Sequence, residues 1–149
     1  MRILNQLNDD MKEAMKAKDR ERLTTIRMIK SAIQNEEIDR GRELEADEEL
    51  AILSREKKQR LESYEEFEKA GRSDLMEKLE DEIEIVDKYL PEQMSEDEIR
   101  TLVNETIEEV GAESMKDMGD VMSSVMPKVQ GRADGSQVNA LVREQLSSQ

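Results

Sequence analysis

The sequence has no cysteine, no histidine and no tryptophan, and its aromatic residues stop at Tyr64, Phe67 and Tyr89. Without cysteine there is no disulfide, thiolate nucleophile or cysteine-held metal, which leaves the redox compartment open and suits a reducing cytosol. Without histidine the commonest general base and the commonest metal ligand are both missing, so any chemistry falls to carboxylates, lysine, tyrosine and hydroxyls. Long apolar runs are missing too. None approaches the roughly 18 residues of a membrane span, and the opening stretch MRILNQLNDDMKEAM places Asn and Asp too early for a secretory leader. A soluble, cytoplasmic protein with no membrane partner is the expectation.

What the chain has is charge. Charged residues make up 40% of its 149 positions against 36% hydrophobic ones, and the formal net charge is −14. That composition leans towards disorder, so hydrophobic periodicity decides whether a core can form. It does so in favour of helices throughout. Ile3, Leu4, Leu7, Met11 and Met15 form one stripe; Asp19 can cap a second helix carrying Leu23, Ile26, Ile29 and Ile33 as far as Gly41. Asp47 offers a cap for a third, with Leu50, Leu53, Lys57, Leu61, Tyr64 and Phe67 along its stripe. Lys57 is the odd member, read as a stem crossing the core edge with its ammonium in water. Ser73 or Asp74 can cap a fourth, with Leu75, Leu79, Ile83, Val86 and Leu90, and Pro91 stops it.

Leu90-Pro91-Glu92-Gln93-Met94-Ser95 reads as the boundary between two domains, 1–90 and 95–149. Residues 1–90 hold 18 Lys+Arg against 25 Asp+Glu and the remainder 5 against 12, so charge does not separate the parts and the proline break does. Ser95 with Glu98 makes a capping box, followed by Ile99, Leu102, Val103, Thr106, Ile107 and Val110 up to Gly111. Ser114 caps a sixth helix with Met115, Met118, Met122, Val125 and Met126 on one side. Asp134 and Gln137 cap a seventh, with Val138, Leu141, Val142 and Leu146. No alternating pattern suggests a strand. The fold class is therefore all-α, four helices followed by three.

Candidate sites are few. The acidic run Glu77, Glu80, Asp81, Glu82, Glu84 and Asp87 has the ligand type for a hard cation, but its spacing suits a solvated face with Lys78 and Lys88 as partners. Arg55, Lys57, Lys58 and Arg60 form the densest basic cluster, able to meet phosphate together with Arg27 and Lys30 if the two helices pack antiparallel, or else paired with glutamates such as Glu62 and Glu65. The Met-rich face of helix six reads as core, with an adaptable docking surface as the other reading. The turn Pro127–Ser136 brings Lys128 and Arg132 near the start of helix seven, where an anion could sit, although Asp134 as the cap repels one. Fold requirements account for Gly131, Asp134 and Lys128 there, but not for Arg132.

Several motifs carry a resemblance. They are Phe67 with Ala70-Gly71-Arg72 and Asp74-Leu75; Tyr89-Leu90-Pro91-Glu92-Gln93; Met118-Gly119; Val121-Met122; Met126-Pro127-Lys128; Gly131-Arg132-Ala133-Asp134-Gly135; and Val138-Asn139. Over nearly its full length the chain resembles the YqeY family, and its last 55 residues resemble the tail domain of GatB, the subunit of the tRNA-dependent amidotransferase. The resemblance implies an N-terminal helical domain, a C-terminal three-helix GatB-tail-like domain, and binding of tRNA or of a tRNA-handling complex. Lys128 and Arg132 match the family's basic turn; Arg132 and Gly135 stand where the amidotransferase tail often has Lys and Pro.

The chain has no amidase Ser/Lys region and no nucleotide-binding loop, so carbon–nitrogen ligase activity with glutamine as amido donor attaches to it by family association only. No cofactor is called for, and DNA is not expected as a partner. The leading reading is a tRNA-binding or tRNA-complex adaptor whose RNA-contacting candidates are Lys128, Arg132, Arg143, Arg55, Lys58 and Arg60. A second is a non-catalytic module that docks on an amidotransferase or synthetase through the acidic N-terminal helices. A third is an accessory component of tRNA-dependent amidation.

Overall fold

A computed structural model describes residues 2–148. Those residues form seven α-helices, one 3-10 turn and no strand. They divide into two compact units, one running to Pro91 and the other starting at Glu92. In the first unit α1 is Ile3–Lys16, α2 Arg20–Arg40, α3 Ala46–Lys69 and α4 Ser73–Asp87. In the second α5 is Glu96–Val110, a 3-10 turn Met115–Asp117 leads into α6 at Met118–Val129, and α7 is Gly135–Ser147.

Helix ends fall where side chains or glycine can satisfy the orphan backbone groups. Asp19 accepts from the Arg22 N–H at 3.2 Å to start α2, and Gly41 ends it in the left-handed conformation at φ 70°. The reciprocal Ser95–Glu98 bonds start α5, both at 3.2 Å. Three starts differ from the sequence expectation. α3 begins one turn's edge earlier than Asp47, after Glu45, where the Glu48 carboxylate takes the Glu45 N–H at 2.9 Å. α4 begins without a side-chain cap, because the Asp74 carboxylate is paired with the Arg72 guanidinium at 3.2 Å. Ser114 caps the 3-10 turn rather than α6 itself.

The first core is built from Leu7, Ile26, Ile29, Ile33, Leu53 and Val86, all fully buried, with Ile3, Ala14, Leu44, Ile52, Tyr89 and Leu90 around them. The expected stripes run past this core at both ends: Met15 is 53% exposed and Leu61 44%. Tyr89 is fixed by donating its hydroxyl to Asp10 of α1. Burial first, and that carboxylate second, push the phenol well above its ordinary range, so it stays protonated as a donor.

The second core corrects the reading of helix six. Its fully buried members on α6 are Val121, Val125 and Val129, packed on Ile99, Val103, Ile107, Val138, Leu141, Val142 and Leu146. Met118, Met122 and Met126 are only partly buried at the rim, and Met115 is exposed. Short, stiff valines at i, i+4 and i+8 face the other two helices, and the longer thioethers cover the edges. Arg100 adds a tie between helices, 3.1 Å from Glu144 of α7. Val125→Ala should therefore destabilise this unit by about 2 kcal/mol, whereas Met115→Ala should stay within about 0.5 kcal/mol. Thermal denaturation followed by circular dichroism checks both, and equal effects would contradict a valine-centred core.

Candidate nucleic-acid interface

The α6–α7 turn is held by the chain segment that enters the second unit. Gly131 is buried, with φ 74°, and its carbonyl accepts from the Gln93 side-chain amide at 2.7 Å. The Met94 N–H donates to the Arg132 carbonyl at 2.9 Å. Arg132 in turn donates through Nε to the Glu92 carbonyl at 3.1 Å. Residues 92–94, read from sequence as a boundary, thus act as a strap across the turn. They also supply the missing structural account of Arg132.

Lys128 and Arg132 do not converge. Lys128 Nζ lies 2.8 Å from Glu109 and 3.3 Å from the Thr106 hydroxyl, in the last turns of α5. Arg132 is held ahead of the first turn of α5, so the two anchor points are about 20 Å apart along that helix at 1.5 Å per residue. Asp134 takes the Ser136 N–H at 2.9 Å and caps α7, which closes the helix start to an anion. Two cations keep open donors. Arg132 is fixed through Nε, while its Nη1 and Nη2 bond to nothing among the described residues. Arg143 stands exposed on α7 with no ion pair among the described residues.

In the first unit the basic cluster and the acidic run meet at two ion pairs. Lys57 Nζ meets Asp87 at 2.8 Å; its ammonium is paired across the hairpin rather than left to water. Arg60 is only 6% exposed, 2.8 Å from Glu56 and 3.7 Å from Glu82. The Tyr64 hydroxyl donates to Glu80 at 2.8 Å. These contacts pair α3 with α4 antiparallel, and Glu80, Glu82 and Asp87 of the acidic run find their partners on α3 instead of at Lys78 and Lys88. Arg60 is therefore spent inside the hairpin, whereas Arg55 and Lys58 lie exposed on α3. Among the described residues no three carboxylates are placed to hold a metal ion, and no helix is long and apolar enough to cross a membrane.

The geometry defines an all-helical protein of an acidic four-helix unit and a three-helix unit with a strapped basic turn. The chain belongs to the YqeY family: the family model described as Yqey-like protein matches residues 4–146. It is similar to proteins named altered inheritance of mitochondria protein 41, mitochondrial. The one from Lachancea thermotolerans is 48% identical over 85 residues, covering 56% of this chain and 46% of the relative. That from Clavispora lusitaniae is 38% identical over 112 residues, 74% of this chain and 65% of the relative. That from Pyrenophora tritici-repentis is 32% identical over 146 residues, 95% of this chain and 80% of the relative. The chain thus spans about half to two thirds of the length of the first two. All three names are mitochondrial, which overturns the expectation of a cytoplasmic protein. That expectation rested on absences in the sequence, and an absence does not assign a compartment.

Two outcomes follow from these contacts. Arg60→Ala leaves Glu56 and Glu82 close together and half-desolvated, so it should cost about 3–5 kcal/mol, while Arg55→Ala at the surface should cost under about 0.5 kcal/mol; urea denaturation separates them. The Glu98 carboxyl is held below the ordinary carboxylate range first by the Ser95 N–H, then by the Ser95 hydroxyl, with the charge of Arg132 adding to it. A depressed folded pKa contributes stability above the unfolded value of about 4.3 and loses it as pH falls through the folded value. Glu98→Gln should flatten the acid-side fall in melting temperature of the second unit, and an unchanged pH profile would contradict that role.

Proposed function

We propose that this chain is a tRNA-binding module, or an adaptor of a tRNA-handling complex, whose three-helix unit works as a GatB-tail-like domain. Family membership supports the reading together with the resemblance of residues 95–149 to that tail. The single observation that carries it is the state of Arg132. An arginine anchored through Nε, with no hydrogen bond to its terminal nitrogens among the described residues, keeps donors for a phosphate, which would have to compete with the nearby Glu98 carboxylate. Arg143 supplies a second cation on the same unit. Lys128 joins them once it exchanges Glu109 for phosphate, and Arg55 and Lys58 are secondary contacts on the first unit. Arg60 is left out of the set because its guanidinium is buried between carboxylates.

With a formal charge of −14, the chain as a whole repels nucleic acid, so the contacts have to be local and few. Its part in tRNA-dependent amidation is accessory: it binds and positions, and the carbon–nitrogen ligase chemistry belongs to the enzyme it accompanies. Labelled tRNA should be retained by the wild-type chain at low salt and released as salt rises. The double variant Lys128→Ala/Arg132→Ala should retain less and should shallow the slope of log affinity against log salt by about 1.4 to 1.8, at roughly 0.7–0.9 per lost phosphate contact. No retention by the wild type at low salt would sink the reading.

A further inference from the structure

We propose that the outer part of the α3–α4 hairpin, residues 61–84, is a docking arm for a basic amphipathic helix of a partner protein. It lies on a different unit from Lys128, Arg132 and Arg143 and does not depend on them. The first core takes its last residue from α3 at Leu53 and resumes on α4 at Ile85. Between these points Arg60 is the one buried side chain among the described residues. Beyond Arg60, α3 runs on to Lys69 for about 14 Å at 1.5 Å per residue, with α4 packed along it.

This arm carries apolar side chains that two helices cannot enclose. Tyr64, Phe67, Leu75, Met76, Leu79 and Ile83 are half-buried and belong to neither core, and Leu61 is 44% exposed. Each helix of a pair covers its partner on one side only, and a third helix laid along the seam would bury what is left. The ion pairs of Lys57 with Asp87 and of Arg60 with Glu82, and the Tyr64–Glu80 hydrogen bond, already hold the two helices in register. The surface is preformed, so little ordering opposes binding.

Charge selects the occupant. Residues 61–84 hold ten acidic residues against Lys69, Arg72 and Lys78, while the rest of residues 1–90 are balanced at fifteen of each sign. The entire acidic excess of the first unit is thus concentrated on the arm. Glu62, Glu65, Glu77, Asp81 and Glu84 lie within ion-pair distance of no cation among the described residues. A second copy of the arm, a nucleic acid or an anionic membrane would be repelled; a basic helix with an apolar stripe matches both the seam and its rim.

The test uses two labelled synthetic peptides of about 20 residues, roughly 30 Å as helices. One has Leu at i, i+3, i+4 and i+7 with Lys elsewhere, and the other has the same composition scrambled. Anisotropy with the full chain at physiological salt should show the striped peptide binding at least about tenfold tighter, the difference expected when one or two leucines are buried. Hydrogen exchange should slow in residues 61–84 on binding. Leu61→Ser, at an exposed position that leaves the fold intact, should weaken the striped peptide about tenfold and leave the scrambled one unchanged. Glu62→Lys/Glu65→Lys should weaken both. Equal binding of the two peptides, protection outside residues 61–84, or labelled RNA that protects the same residues would overturn the proposal.

Discussion

Apolar side chains are scarce in this chain, at 36% against 40% charged, and that scarcity sets where it can be solid. Hydrophobic burial is the main favourable term in folding and has to exceed the entropy of ordering the backbone. The aliphatic residues are accordingly gathered into two clusters, one around Ile26, Ile29, Ile33 and Leu53 and the other around the three valines of α6. Elements that run beyond a cluster are held by polar contacts instead. The outer half of α3 is one such element. The α6–α7 turn is another, kept in place by hydrogen bonds from residues 92–94.

Ion pairs of this kind differ widely in weight. Surface pairs such as Arg72 with Asp74, more than half exposed on both sides, contribute little, because water already solvates both charges. The Glu56–Arg60–Glu82 group is different, since its side chains are 14% exposed or less. Desolvation there offsets much of the attraction, so its value lies less in net stability than in specificity: a buried arginine tolerates one register of α3 against α4 and penalises others. A charged seam therefore fixes the geometry of the hairpin where hydrophobic packing is too thin to do so.

The class of fold and the position of the helices were legible because periodicity and caps are local. Asp19, Gly41, Ser95, Glu98, Gly111 and Asp134 act within one turn of themselves, and each ends or starts a helix as its type requires. What escaped the sequence depends on distant partners. Lys57 and Arg60 looked like part of a surface cluster because Asp87 and Glu82, which face them, lie on the next helix. The Met stripe of α6 looked like core because one helix pattern does not reveal how closely its neighbours approach; it is the valines that let α5 and α7 come near. Lys18, at φ 57° in the α1–α2 turn, carries no glycine signal at all. Arg132 had no explanation from its neighbours in sequence, since its acceptor is forty positions away at Glu92.

That last contact changes what the turn can do. A free Arg132 beside a free Lys128 would form a diffuse positive patch at the start of α7, and the Asp134 cap would oppose any anion placed there. The strap removes that arrangement. With Nε committed to Glu92 and Lys128 drawn to Glu109, Arg132 is held in one orientation, and only its terminal nitrogens are left to act as a fork. Such a fork suits one phosphate in one orientation better than it suits a polyanion in general. The acidic background works in the same direction: it suppresses indiscriminate attraction, so a contact survives only where shape brings the phosphate to the guanidinium. The scarcity of positive charge that argues against a general nucleic-acid binder is thus compatible with a selective one.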